Sequence, residues 1–220
     1  MSTRGLTSLQ LRVLSVLADL QPQALLFGGA ALVVACNSPR PTRDLDLLWL
    51  HTELLGNIPV IIDAKMRGAG LEIRREVTSP AFVRSTVSDG VDSIELDLVA
   101  DPGPGPQHIA IVAIGTDRWQ VPSRADLLVD KLCALLSRTE IRDLQDVQFL
   151  LDAGEDLATA VRAAPQRDAG FSALTLAWTV RGWPVEVIAR HSGVDADEAV
   201  RLMAFRDALV QQLLATATFA

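Results

Sequence analysis

The sequence predicts an α+β fold, a mixed sheet with flanking helices followed by a helical C-terminal region. Three observations carry this. Short apolar or alternating runs fill the first 122 residues, punctuated by Gly, Pro and Asp-Gly turn signals. From residue 123 onward the apolar residues recur with the helical period. Apolar residues make up 49% of the 220, which is enough for a real core and argues against disorder. The expected division is a core over 1–122 and a helical region over 123–220.

Taken in order, residues 8–20 form an amphipathic helix with Thr7 as N-cap and Gln10 closing a capping box. "ALLF" (24–27) is a short buried strand, Gly28-Gly29 a tight turn, and residues 30–36 a short apolar helix. The prolines of "NSPRPT" (37–42) force a loop before the strand "RDLDLLWL". A helix falls within 53–69, its start delayed by Gly56 and Pro59. Residues 71–77 and 81–87 alternate as strands do, and Asp89-Gly90 turns the chain into a further strand ending near Asp101. "HIAIVAI" (108–114) and "WQVP" (119–122) are extended, and helices then cover 124–138 and 140–154. Farther on, Asp195 with Glu198 opens another helix. The segment around it has a faint helix-turn-helix look, but its acidic second helix argues against DNA recognition.

Bulk charge narrows the function. A formal charge of −7 argues against a protein that coats nucleic acid, although arginines gather at Arg40, Arg43, Arg67, Arg74, Arg75 and Arg84. Cys36 and Cys133 each lie in an apolar run, as reduced thiols of a cytoplasmic protein do. His51, His108 and His191 lack the spacing of a zinc site. The N-terminal stripe carries polar breaks and no cleavage site, and no run is long enough to span a membrane.

The chemistry gathers at residues 28–46. Alternate strand residues share a face, so Asp44 and Asp46 project together while Leu45 and Leu47 face the core. Two carboxylates so close repel each other unless a cation lies between them, and Mg2+ or Mn2+ favours oxygen ligands shared with phosphate. Gly28 and Gly29 stand at a helix start, where N–H groups attract phosphate and glycine lets the backbone come close. Each feature alone has a bland reading, a solvated strand face or an ordinary turn; their combination and order carry the signal. Glu95 and Asp97 share the face of a later strand, and Asp97, the deeper of the two, is the better candidate to complete a metal-binding triad and serve as general base.

"GGAAL…RPTRDLDL" (28–47) resembles the first motif of the nucleotidyltransferase superfamily, and in particular its AbiEii/AbiGii-type toxin branch. The later run "LLVDKLCALLSRTEIRDLQDVQFLL" (127–151) resembles the second signature of that branch, with Lys131, Arg138, Arg142, Asp143 and Asp146 at the matching positions. The resemblance implies a minimal nucleotidyltransferase fold, a divalent metal on Asp44, Asp46 and Asp97, and a nucleoside triphosphate as substrate. It implies transfer of NMP to an acceptor, with RNA of the tRNA kind favoured, and a cognate antitoxin as partner. Gly28, Gly29, Arg40, Thr42 and Arg138 would then bind the triphosphate, and Lys131 would neutralise it as a flexible point charge. Asp143 and Asp146 would either favour their helix N-terminus or orient Lys131 or the nucleotide. Many members of the superfamily carry a hydroxyl residue at or just after the second glycine; this chain has Gly29 and Ala30. Thr42, beside the carboxylates, would inhibit the site if phosphorylated. The competing readings are transfer to a protein or small-molecule hydroxyl, and a non-catalytic NTP-binding, antitoxin-like partner.

Overall fold

A computed structural model describes residues 5–218. They fall into two compact units, one ending at Ser123 and the other beginning at Arg124.

In the first unit, α1 (Ser8–Leu17) is capped as its sequence requires. The Thr7 hydroxyl accepts the Gln10 N–H at 3.1 Å, and Gln10 Oε1 accepts the Thr7 N–H at 2.7 Å. The helix stops before residue 20 because its last bonds tighten to three-residue turns, Ala18 N–H to Ser15 and Leu20 N–H to Leu17. β1 (Leu25–Phe27) runs directly into α2 (Gly28–Cys36). The expected turn at Gly28-Gly29 is therefore the first turn of the helix. Gly28 sits at φ +62°, which a side-chain-bearing residue seldom adopts, and that lets strand become helix without a loop.

β2 (Asp44–Leu50) follows, then α3 (Ile58–Gly68), which begins only after Gly56 at φ +55° and takes Pro59 into its first turn. β3 (Glu72–Thr78), β4 (Phe82–Ser88) and β5 (Ser93–Asp101) form a meander. The β4–β5 turn is built on Asp89, whose carboxylate accepts the N–H groups of Val91 at 3.0 Å and Asp92 at 2.9 Å. β6 (Ile109–Ile114) and β7 (Asp117–Pro122) make a hairpin.

Among the described residues these strands form one mixed sheet in the order β3-β4-β5-β2-β1-β7-β6. β2 is parallel to β5 and antiparallel to β1, and β1 is parallel to β7. Leu45 and Leu47 on β2 have no exposed surface, whereas Asp44 and Asp46 are half-buried. The expected alternation holds.

The second unit is helical: α4 (Arg124–Ser137), α5 (Ile141–Asp152), α6 (Leu157–Arg167), α7 (Ala173–Arg181), α8 (Val185–His191) and α9 (Ala196–Thr218). α4 packs against α5, α6 and α7, and α9 packs against α5, α7 and α8. Leu132, Leu135, Leu144, Val147, Leu176 and Leu213 are fully buried at spacings that mark the apolar stripes of these helices. Asp195 caps α9 by accepting the Glu198 N–H at 2.8 Å. Arg167 joins α6 to α4, donating from Nε at 2.9 Å and Nη2 at 2.7 Å to Oδ1 of Asp130. The other oxygen of Asp130 is buried with no hydrogen-bond partner. Burial pushes the Asp130 carboxyl up to about 6, with Arg167 opposing the shift. No helix among the described residues is long and apolar enough to cross a membrane.

Candidate active site

In the first unit the sheet register assembles the acidic face. Asp44 lies opposite Glu95 and Asp46 opposite Asp97 across the parallel β2–β5 pair. Residues paired across neighbouring strands share a face, so four carboxylates stand together and repel one another. The start of α2 closes on them. A Cβ at position 28 would stand 2.0 Å from Oδ2 of Asp46, an overlap that only glycine avoids. A Cβ at position 29 would stand 2.6 Å from the Thr42 hydroxyl and 3.5 Å from Nη2 of Arg40. The two glycines therefore let the start of α2 pass close against Asp46, the loop threonine and Arg40.

Thr42 is buried, and its hydroxyl donates to Oδ1 of Asp44 at 2.5 Å. Phosphorylation of the folded chain at Thr42 would require this loop to open first. Gln10 fixes the same loop from α1: Nε2 donates to the carbonyls of Thr42 at 3.1 Å and Asp44 at 3.4 Å. Sequence reading saw Gln10 only as half of a capping box. Its second role depends on a contact between residues far apart in the chain, which local pattern does not encode.

Asp97 departs from expectation. Arg84, its partner on β4, grips both its oxygens, with Nε to Oδ1 at 2.9 Å and Nη2 to Oδ2 at 2.6 Å. Arg84 also stands 3.4 Å from Glu95. Its guanidinium is held charged well above the usual arginine range, chiefly by the hydrogen bonds to Asp97 and further by Glu95 and Asp46. Among the described residues, no three His, Cys, Asp or Glu side chains are grouped so as to hold a metal ion. The expected triad of open carboxylates is thus a pair plus an arginine-bound third. In donor chemistry, Asp44 and Asp46 fit a hard divalent cation, being two carboxylates on one strand face beside the start of α2. Glu95, the rival to Asp97, is 44% exposed and looser in its contact with Arg84.

In the second unit, Lys131 of α4 is nearly enclosed, 7% exposed. Its ammonium contacts Oδ1 of Asp143 at 2.9 Å and Oδ2 of Asp146 at 2.7 Å. Arg138 donates to Asp143 from Nε at 2.7 Å and Nη2 at 3.0 Å. Burial alone would push the lysine pKa down, but Asp146 and Asp143 override it and hold it above the usual value. Burial likewise works against the charge on Asp143, and Arg138 and Lys131 overcome it to keep that carboxyl below its usual range. The expectation of a flexible point charge is corrected: Lys131 is fixed by two carboxylates. Both Asp143 and Asp146 contact the Lys131 ammonium, and Asp143 also lies in the first turn of α5.

A family model described as nucleotidyl transferase AbiEii toxin, type IV TA system, matches residues 12–217. The chain belongs to this family. It is a nucleotidyltransferase of a toxin–antitoxin family. Its fold is similar to that of MenT4, a nucleotidyltransferase toxin from Mycobacterium tuberculosis H37Rv, with a TM-score of 0.61 and 16% identity over 96% of this chain and 82% of that one. JHP933 from Helicobacter pylori superposes with a TM-score of 0.53 at 19% identity, covering 96% and 92% of the two chains. The antibiotic-resistance factor ANT(2'')-Ia gives 0.53 at 11% identity, covering 74% of this chain and 92% of that one. At these identities the likeness is one of fold. No curated protein has significant sequence similarity to this chain.

Arg84 is the residue that sequence reading of this nucleotidyltransferase left out of the site. A signal was available, since counting outward along both strands from the Asp89-Gly90 turn sets Arg84 opposite Asp97.

Proposed function

We propose that this nucleotidyltransferase binds a nucleoside triphosphate in the first unit. It transfers the NMP to RNA of the tRNA kind, as the toxin partner of an antitoxin. The observation that supports this most directly is the approach of Gly28 to Asp46, which sets the amide end of α2 beside the carboxylate pair. Phosphate oxygens are drawn to those N–H groups and to Arg40, while Asp44 and Asp46 hold Mg2+ or Mn2+. A cation bound there would offset the triphosphate's charge next to the carboxylates. The acceptor hydroxyl would then form a bond to the α-phosphorus as the α–β phosphoanhydride breaks, pyrophosphate would depart with that bond's electron pair, and the hydroxyl proton would pass to water.

The Thr42 hydroxyl stands where a side chain at position 29 would begin, so the cradle keeps a hydroxyl although the glycine pair carries none. Within the second unit Lys131 is a fixed cation, held by Asp143 and Asp146, with Arg138 supporting Asp143. Cys36 and Cys133, one buried and one partly so, are not joined in a disulfide, which accords with a cytoplasmic setting.

Purified protein incubated with each α-labelled triphosphate, Mg2+ and total RNA or cell lysate tests this reading. Label in RNA, abolished by Asp46→Ala, is expected. Label in protein or in a small molecule would move the acceptor to that class. No transfer under any condition would favour a non-catalytic nucleotide-binding role.

A further inference from the structure

Arg84, Asp97 and Asp46 lie in one row across β4, β5 and β2. Neighbouring strands are about 4.8 Å apart, so Asp46 and Asp97 are like charges directly opposed, an arrangement that costs stability unless a cation offsets it. The resting fold already contains that cation. Arg84 makes two charge-assisted bonds to Asp97, reaches Glu95 and is attracted by Asp46. Its guanidinium is further seated over the Phe82 ring, 5.7 Å from the centroid. A bidentate guanidinium–carboxylate pair is the strongest form of this contact and is geometrically fixed.

We propose that Arg84 stands in place of a second divalent ion, so that the acidic face takes one ion, on Asp44 and Asp46, while Asp97 remains the arginine's counter-charge. The proposal rests on the metal reading of Asp44 and Asp46 given above. It makes Arg84 a positioning residue, the fixed cation of the site. It also accounts for a catalytic face with four carboxylates on which no three group as metal ligands among the described residues. Two of the five guanidinium N–H groups are used on Asp97.

Titration of the protein with Mn2+ alone, following free Mn2+ by electron paramagnetic resonance, separates this proposal from the reading beneath it. The parent protein is expected to bind one ion per chain, lost in Asp46→Asn. In Arg84→Met the number doubles to two, and the second is lost again in Arg84→Met/Asp97→Asn. Arg84→Lys, which keeps a charge, stays at one. If Arg84→Met lacks the native circular dichroism, Arg84→Gln, which retains a donor for Asp97, is read in the same way. Two ions on the parent protein, or one on a folded Arg84→Met or Arg84→Gln chain, overturns the role of Arg84 and leaves the carboxylate pair intact as a metal site. No binding to the parent protein overturns the metal reading itself, and this proposal with it.

Discussion

Asp44 and Asp46 in the first unit and Asp143 and Asp146 in the second are both aspartate pairs offered by the family signatures. The fold treats them oppositely. The strand pair is half-buried and pressed against a helix start and a threonine hydroxyl. The helix pair is almost wholly buried, and its two negative charges meet the positive charges of Lys131 and Arg138 inside the protein. Neutralised burial makes the second cluster part of what holds its unit together. Partial exposure leaves the first one in reach of solvent. The difference teaches that residue type marks a site, while burial and local charge balance decide what the site is for.

The comparison breaks first at Asp143. Asp143→Ala takes one carboxylate from a buried network and leaves Lys131 and Arg138 with one partner fewer. Removing one member of a buried pair costs about 3–5 kcal/mol, so urea unfolding should show a loss of that size. A loss below about 1 kcal/mol would mean that the cluster behaves like a surface ion pair, and the contrast between the two units would fail.

The second unit holds another buried carboxylate, Asp130, whose charge is only partly matched. Its folded-state value of about 6 stands above the ordinary 3.8, so the folded chain binds this proton more tightly than the unfolded chain. The group therefore contributes stability below pH 4 that is lost as pH rises to about 6, by up to about 3 kcal/mol. Unfolding free energies measured across that window should fall for the parent protein relative to Asp130→Asn, which lacks the proton. Parallel curves would show that Arg167 holds the carboxylate charged throughout. The same burial pushes the Cys133 thiol up to about 12, so this cysteine should stay unmodified by iodoacetamide at pH 8.

Gly28 sharpens the comparison from the first unit. Gly28→Ala adds left-handed strain of about 1–2 kcal/mol and drives a methyl into Asp46. Gly56 has nearly the same φ, +55°, but open space around its Cβ position. Gly56→Ala should therefore lose similar stability and keep nucleotide transfer, whereas Gly28→Ala should lose both. Equal transfer by the two variants would detach the glycine from the carboxylate pair.

How much of this was legible in the sequence depends on the range of the interaction. The shared face of Asp44 and Asp46 and the burial of Leu45 and Leu47 follow from the period-two geometry of a strand, and both were readable. So was the Thr7–Gln10 box, which spans one helical turn. A glycine pair such as Gly28-Gly29 usually marks a turn; that a helix starts on this one depends on the φ of Gly28, which no neighbour announces. The row Arg84–Asp97–Asp46 was legible only in part. Hairpin counting yields the first contact, but the parallel β2–β5 pairing joins residues about fifty positions apart, and its register comes from the whole sheet. In the second unit, the signature supplied Lys131, Arg138, Asp143 and Asp146 without saying which would pair, since that depends on how α5 packs against α4.

The smallest expected effect is also the most discriminating. Asp46→Asn replaces a half-buried carboxylate that faces Asp97 across the strand pair and lies within the attraction of Arg84. Losing the attraction costs stability and losing the repulsion returns some, and at partial exposure both are worth little. The variant should unfold within about 0.5 kcal/mol of the parent, while transfer falls at least about a hundredfold, equivalent to roughly 2.7 kcal/mol of barrier. Asp143→Ala should show the reverse weighting, a large loss of stability. If Asp46→Asn instead destabilised the fold as much as Asp143→Ala, the strand carboxylate would be a structural counter-charge for Arg84, and the pair on β2 could not be the place where a cation and a nucleotide meet.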